Sequence, residues 1–170
     1  MYETGKTAQV ASEMKNYNPS LHGISVTRWT QSGQKRLALG GILLFSGHEE
    51  ENATHDQGVA LMLLPAANRA MIEKEAHSPK ITTATLCMKK KKIYMIIIQC
   101  YTPTNDSQEE IKEQFYNRLQ SILEKCAEKD ITIMMGDLNA RIGSHNTGYE
   151  EVMGNHGLGN MNENGERIVE

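Results

Sequence analysis

The run GVALMLL, residues 58–64, is the strongest constraint on what this chain can fold into. It has strand length and no polar alternation, which is the pattern of a strand buried on both faces. Such a strand needs apolar material on either side of it, so the fold must be layered. Other segments make the same demand. KITTATLCM (80–88) and KIYMIIIQCYT (92–102) flank Lys89–Lys92 and predict a hairpin. ITIMM (131–135) predicts a further strand, and the apolar stretch 93–98 is far too short to span a bilayer.

The remaining elements are read from periodicity and from their stops. Val10, Met14 and Tyr17 predict a helix over Thr4–Asn18, ended by Asn18-Pro19-Ser20. LHGISV (21–26) predicts a short strand, and RLALGGILLFSG (36–47) one or two more, interrupted by Gly40-Gly41. HEEENATHDQ (48–57) reads as a polar loop. Pro65 suits the first position of a helix that AANRAMIEKEA continues to Ala76. Ser107 and Glu110 form a capping box for a helix reaching about Lys129, with Ile111, Phe115, Leu119, Ile122, Leu123 and Cys126 on one face. NENGERIVE, at the end, resembles the start of another helix. Strands outnumber helices, which favours a mixed-sheet α/β sandwich over a doubly wound parallel sheet.

A chain of 170 residues suffices for one sizeable core and not for two. Its 39% hydrophobic and 23% charged content is that of a soluble globular protein, and a net charge of −3 gives no global basic field. Cys87, Cys100 and Cys126 form no C-x-x-C pair and read as buried free thiols in a reducing compartment. The N-terminus has no apolar core of a signal peptide. The expectation is an intracellular protein, nuclear or cytoplasmic, with no membrane partner.

Several motifs fail on spacing. Gly5-Lys6-Thr7 lacks the preceding glycine of a P-loop, HEEEN (48–52) lacks the second histidine of a zinc-protease helix, and GLGNMN (157–162) completes no dinucleotide fingerprint. The six histidines share no metal-ligand spacing, and Lys89–Lys92 reads as a charged hairpin tip, with contact to a phosphate backbone as the alternative. Two sites remain, GDLN with Asp137 and Asn139, and YTPT with Tyr101, each at the C-terminal end of an apolar run. Asp, Asn and Pro also form ordinary turns. As chemistry, however, the set suits phosphodiester hydrolysis. An ionised Asp can orient and deprotonate water, an Asn amide can hold a phosphate oxygen, and a Tyr hydroxyl can donate to developing charge. Two apart on extended backbone, Asp137 and Asn139 should point the same way.

YTPT followed by one helix, one strand and GDLNARIG resembles the endonuclease/exonuclease/phosphatase superfamily. GISVTRWTQSGQKRL, SGHEEENATHDQGVALML, FYNRLQSILEKC and NTGYEEVMGNHGLGNMNENGER extend the resemblance to retrotransposon-derived (non-LTR, craniofacial development protein 2-like) endonuclease domains. The resemblance implies a four-layer α/β sandwich (DNase I-like), incomplete, with residues 1–170 as a single partial domain. It implies Mg²⁺-dependent cleavage of DNA, and a reverse transcriptase domain as partner in any longer element. Tyr101 would contact the scissile phosphate, Asp137 would activate water and is a candidate metal ligand, and Asn139 would orient phosphate or water. Where relatives carry a metal-binding glutamate this chain has Val26, which has no oxygen for a hard cation. The family's first catalytic asparagine and its C-terminal Asp and His would fall outside the chain. The expectation is therefore an impaired endonuclease, or alternatively a non-catalytic remnant that binds nucleic acid or protein.

Overall fold

A computed structural model describes residues 20–27, 29–38, 40–47, 58–88, 93–143 and 159–169. The helix expected at Thr4–Asn18, the loop at 48–57 and the hairpin tip Lys89–Lys92 lie outside the described residues. The chain divides into two compact units, one of Met1–Tyr101 with Lys125–Gly136, the other of Thr102–Glu124 with Asp137–Glu170.

The first unit holds two four-stranded sheets. In one, β1 (Leu21–Thr27), β2 (Gly33–Arg36), β3 (Ile42–Ser46) and β4 (Gly58–Leu63) run in the spatial order β1-β4-β3-β2, each pair antiparallel. GVALMLL supplies β4, every residue of which is buried. Alternation explains how one strand serves two interfaces. Leu61 and Leu63 join Ile42, Leu44, Ala84, Leu86 and Ile97 in one cluster, while Ala60 and Met62 join Leu43 in another, beside Trp29, Leu37 and Phe45. The first cluster draws on both sheets, so they pack face to face.

A short helix α1 (Pro65–Ala70) follows, with Pro65 in its first turn as expected. The helix stops at Ala70, and MIEKEAHS forms strand β5 (Met71–Ser78) instead of continuing it. Pairing decides this: β5 is antiparallel to β6 (Ile81–Met88), which pairs in turn with β7 (Ile93–Tyr101). The ladder outweighs the high helix propensity of Glu, Lys and Ala. Residues Ile72–Ala76 are exposed, and Glu73, Lys74 and Glu75 keep this sheet edge charged. The β6–β7 hairpin is as expected, in register from Ile81↔Cys100 to Met88↔Ile93.

The fourth strand of this sheet, β8 (Ile131–Asp137), completes the order β5-β6-β7-β8. It runs two residues past Met135. Gly136 has φ +142°, and a Cβ there would strike the carbonyl oxygen of Cys100, so no other residue fits at this step. In the second unit, α2 (Glu109–Leu123) is shorter than expected, ending at Leu123 rather than near Lys129. The capping box is not made: Ser107 Oγ lies 3.2 Å from Thr104 Oγ1, and Gln108 is the N-cap residue. Its buried face is Lys112, Phe115, Leu119 and Ile122, whereas Ile111 and Leu123 are exposed. The last element, α3 (Glu163–Val169), is the expected final helix. Among the described residues, no helix is long and apolar enough to cross a membrane.

The double burial of β4 makes a direct prediction. Leu61→Ala should lower unfolding free energy by about 2–5 kcal/mol, whereas Ile72→Ala on exposed β5 should change it by less than about 0.5 kcal/mol. Urea denaturation followed by circular dichroism measures both, and equal effects would contradict the layered core.

Candidate functional site

The exit from β8 is a tight turn built on its own side chains. Asp137 is exposed, and its Oδ1 accepts a hydrogen bond from the backbone N–H of Asn139 at 3.1 Å. Asn139 has φ +46°, a left-handed conformation that Asn tolerates better than most residues. The expectation that Asp137 and Asn139 point the same way therefore fails, because extended backbone ends at Asp137. The Asn139 carboxamide turns inward, and its Nδ2 donates to the carbonyl of Thr102 at 2.7 Å. Thr102 N–H donates in turn to the Asp137 carbonyl at 3.0 Å. Asp137 and Asn139 of GDLN are thus joined to Thr102 of YTPT, and these three residues lie within the second unit. The Thr102 hydroxyl is buried and has no hydrogen-bond partner among the described residues.

Two residues that sequence reading missed hold this turn. Asn162 Nδ2 donates to Asn139 O at 3.0 Å, and Asn164 Nδ2 donates to the same oxygen at 3.3 Å and to Pro103 O at 2.9 Å. Asn162 Oδ1 accepts from Arg141 N–H at 2.7 Å and from Gly165 N–H at 2.9 Å, which caps the start of α3. Asn164 Oδ1 accepts from the Tyr116 hydroxyl on α2 at 2.9 Å. A Cβ at Gly165 would strike Arg141 O, so the helix can approach this loop only with glycine there. The signal was present in NENG, an Asn three residues before a Gly at a helix start. Its long-range partners were not visible.

Charges tie α3 to α2. Lys112 Nζ lies 2.5 Å from Glu163 and 2.9 Å from Glu109, and Arg167 pairs with Glu109 and, at 2.9 Å, with Glu163. The hydrogen bond from Lys112 is the main cause that holds the Glu109 carboxyl below its ordinary range. The bond to Glu163 chiefly raises Lys112.

Tyr101, the third residue expected at the site, belongs to the first unit as the last residue of β7. Its N–H donates to Lys80 O at 2.9 Å, and Lys80 Nζ stands 5.8 Å from its ring centroid. Partial burial lowers the Lys80 ammonium from its ordinary range. Among the described residues, no three His, Cys, Asp or Glu side chains gather into a metal-binding group.

Two solved structures share the fold: an endonuclease/exonuclease/phosphatase family protein from Leptotrichia buccalis (TM-score 0.57, 12% identity) and humanized D. rerio TDP2 (TM-score 0.53, 14% identity). They align with 88% and 94% of this chain, and with 67% and 62% of their own lengths. The fold, two sheets plus helices, is the α/β DNase I-like fold of the endonuclease/exonuclease/phosphatase proteins. In sequence, the chain is 29% identical over 166 residues to craniofacial development protein 2 of Bos taurus and 28% identical to that of Tragulus javanicus. Both alignments take in 98% of this chain but only 27% and 28% of those proteins, so the chain spans little more than a quarter of their length. No family model matches it.

The charge clamp has a pH signature. The Glu109 pKa is lowered by folding, so its contribution is present above the ordinary carboxylate value of about 4.3 and is lost as pH falls through the lower folded value. Lys112 is raised, so its contribution is present below its ordinary value and lost as pH rises through the higher folded one. Hydrogen exchange at the α3 amides should show protection, corrected for intrinsic rate, falling as pH drops below the ordinary carboxylate value through the lower folded one. Unchanged protection across that window would remove the clamp as a stabilising element.

Proposed function

We propose that residues 1–170 are part of one endonuclease/exonuclease/phosphatase domain, of the kind that non-LTR retrotransposons carry beside a reverse transcriptase domain. Its inherited chemistry is hydrolysis of DNA phosphodiesters, and that chemistry is impaired in this chain. The observation that supports this most is the turn after β8, where an exposed carboxylate and a carboxamide are rigidly held on a DNase I-like sheet. In this reading Asp137 orients water and takes its proton. Asn139 commits one N–H to Thr102 and offers its remaining N–H to a phosphate oxygen.

The donor set does not fit a resident Mg²⁺. Asp137 is the candidate ligand, and its Oδ1 already accepts the Asn139 N–H. Val26, in β1, stands at the position of the expected glutamate and offers no oxygen. A divalent ion would offset phosphate charge, but a single carboxylate is a poor hold for it, and no step is assigned to it. The scarcity of oxygen ligands among the described residues also favours the second reading, a non-catalytic remnant that holds nucleic acid.

Incubation with supercoiled plasmid and Mg²⁺ should give no nicking above that of Asp137→Ala, while a fluorescent DNA duplex binds with an affinity that falls steeply with salt. Robust nicking abolished by Asp137→Ala would overturn the impairment. Failure to bind the duplex even at low salt would remove DNA as the partner.

A further inference from the structure

Among the described residues of the second unit, the most completely buried polar side chain is Asn164, at 0% exposure, and the proposed chemistry assigns it no role. We propose that Asn164 and Asn162 are positioning residues for Asn139 and, through it, for the carboxylate of Asp137. The proposal deepens the reading of the β8 exit as a phosphate-facing turn and rests on that reading.

The orientation of both carboxamides is determined by their partners. Asn164 Oδ1 meets a hydroxyl donor, Tyr116, so its Nδ2 must face the carbonyls of Pro103 and Asn139. Asn162 Oδ1 meets two backbone N–H groups, so its Nδ2 must face Asn139 O. Two donors therefore converge on one carbonyl, that of the residue with the left-handed backbone. They fix the peptide plane after Asn139, and the orientation of that plane directs the Asn139 side chain onto Thr102 O. Asn164 also grips Pro103, the residue after Thr102, so one side chain spans both strand exits. A carboxylate in its place would oppose two carbonyl oxygens, and an apolar residue would leave the Tyr116 hydroxyl and both carbonyls without this partner.

The test follows the Asn139 side-chain amide by ¹⁵N NMR and, separately, affinity for a fluorescein-labelled DNA duplex by anisotropy. Asn162→Ala and Asn164→Asp should each shift the Asn139 amide towards the position of a free carboxamide and weaken duplex binding by about threefold or more. In an Asn139→Ala background, which keeps the backbone carbonyl and N–H of residue 139, the further loss should be smaller than in the unaltered chain, because only the route to Asp137 remains. Tyr116→Phe, which leaves both Asn164 donors in place, should produce the same NMR shift at smaller amplitude. It keeps the question open should Asn164→Asp not fold. Additive losses in the Asn139→Ala background, or an Asn139 amide unmoved by Asn162→Ala and Tyr116→Phe, would overturn the positioning role. If the unaltered chain binds no duplex, the DNA reading fails and the NMR shifts alone decide the positioning.

Discussion

The carbonyl oxygen of Asn139 accepts two side-chain N–H donors, and the geometry of the candidate site depends on that convergence. A left-handed residue other than glycine costs roughly 1–2 kcal/mol. Hydrogen bonds from Asn162 and Asn164, together with that from Asn139 to Thr102, contribute about 1 kcal/mol each, enough to offset it. The turn is therefore a tertiary feature, imposed by a helix start more than twenty residues further along the chain.

That dependence explains why the charges between α2 and α3 matter despite their exposure. Surface ion pairs contribute little individually. Lys112, though, is only 4% exposed and serves two carboxylates, and Arg167 closes the set from the neighbouring turn of α3. The Arg167 guanidinium also lies 5.3 Å from the Tyr116 ring centroid, above the residue whose hydroxyl orients Asn164. Charges set where the helix lies, and carboxamides convert that placement into a fixed loop.

How much of this was legible depended on whether the deciding contact was local. The burial of β4 on both faces and the β6–β7 hairpin were readable because hydrophobic pattern alone specifies them. Met71–Ser78 was misread because MIEKEA suits a helix locally, and only the ladder with β6 decides otherwise. The α2 face was drawn from apolar spacing and so missed Lys112, whose burial requires Glu163 from 51 residues away. Asp137 and Asn139 were visible as polar residues at a strand exit. Asn162 and Asn164 read only as part of a helix start, since nothing near them in sequence reveals that their partners are Asn139, Pro103 and Tyr116.

The same contrast bears on function. A turn that fixes one carboxylate and one carboxamide supplies direction but little charge. Phosphodiester hydrolysis needs both, since the attacking water and the departing oxygen each concentrate negative charge that a neutral amide stabilises only weakly. The carboxamide network holds the turn through Asn162 and Asn164, so its shape does not depend on the chemistry proposed for it.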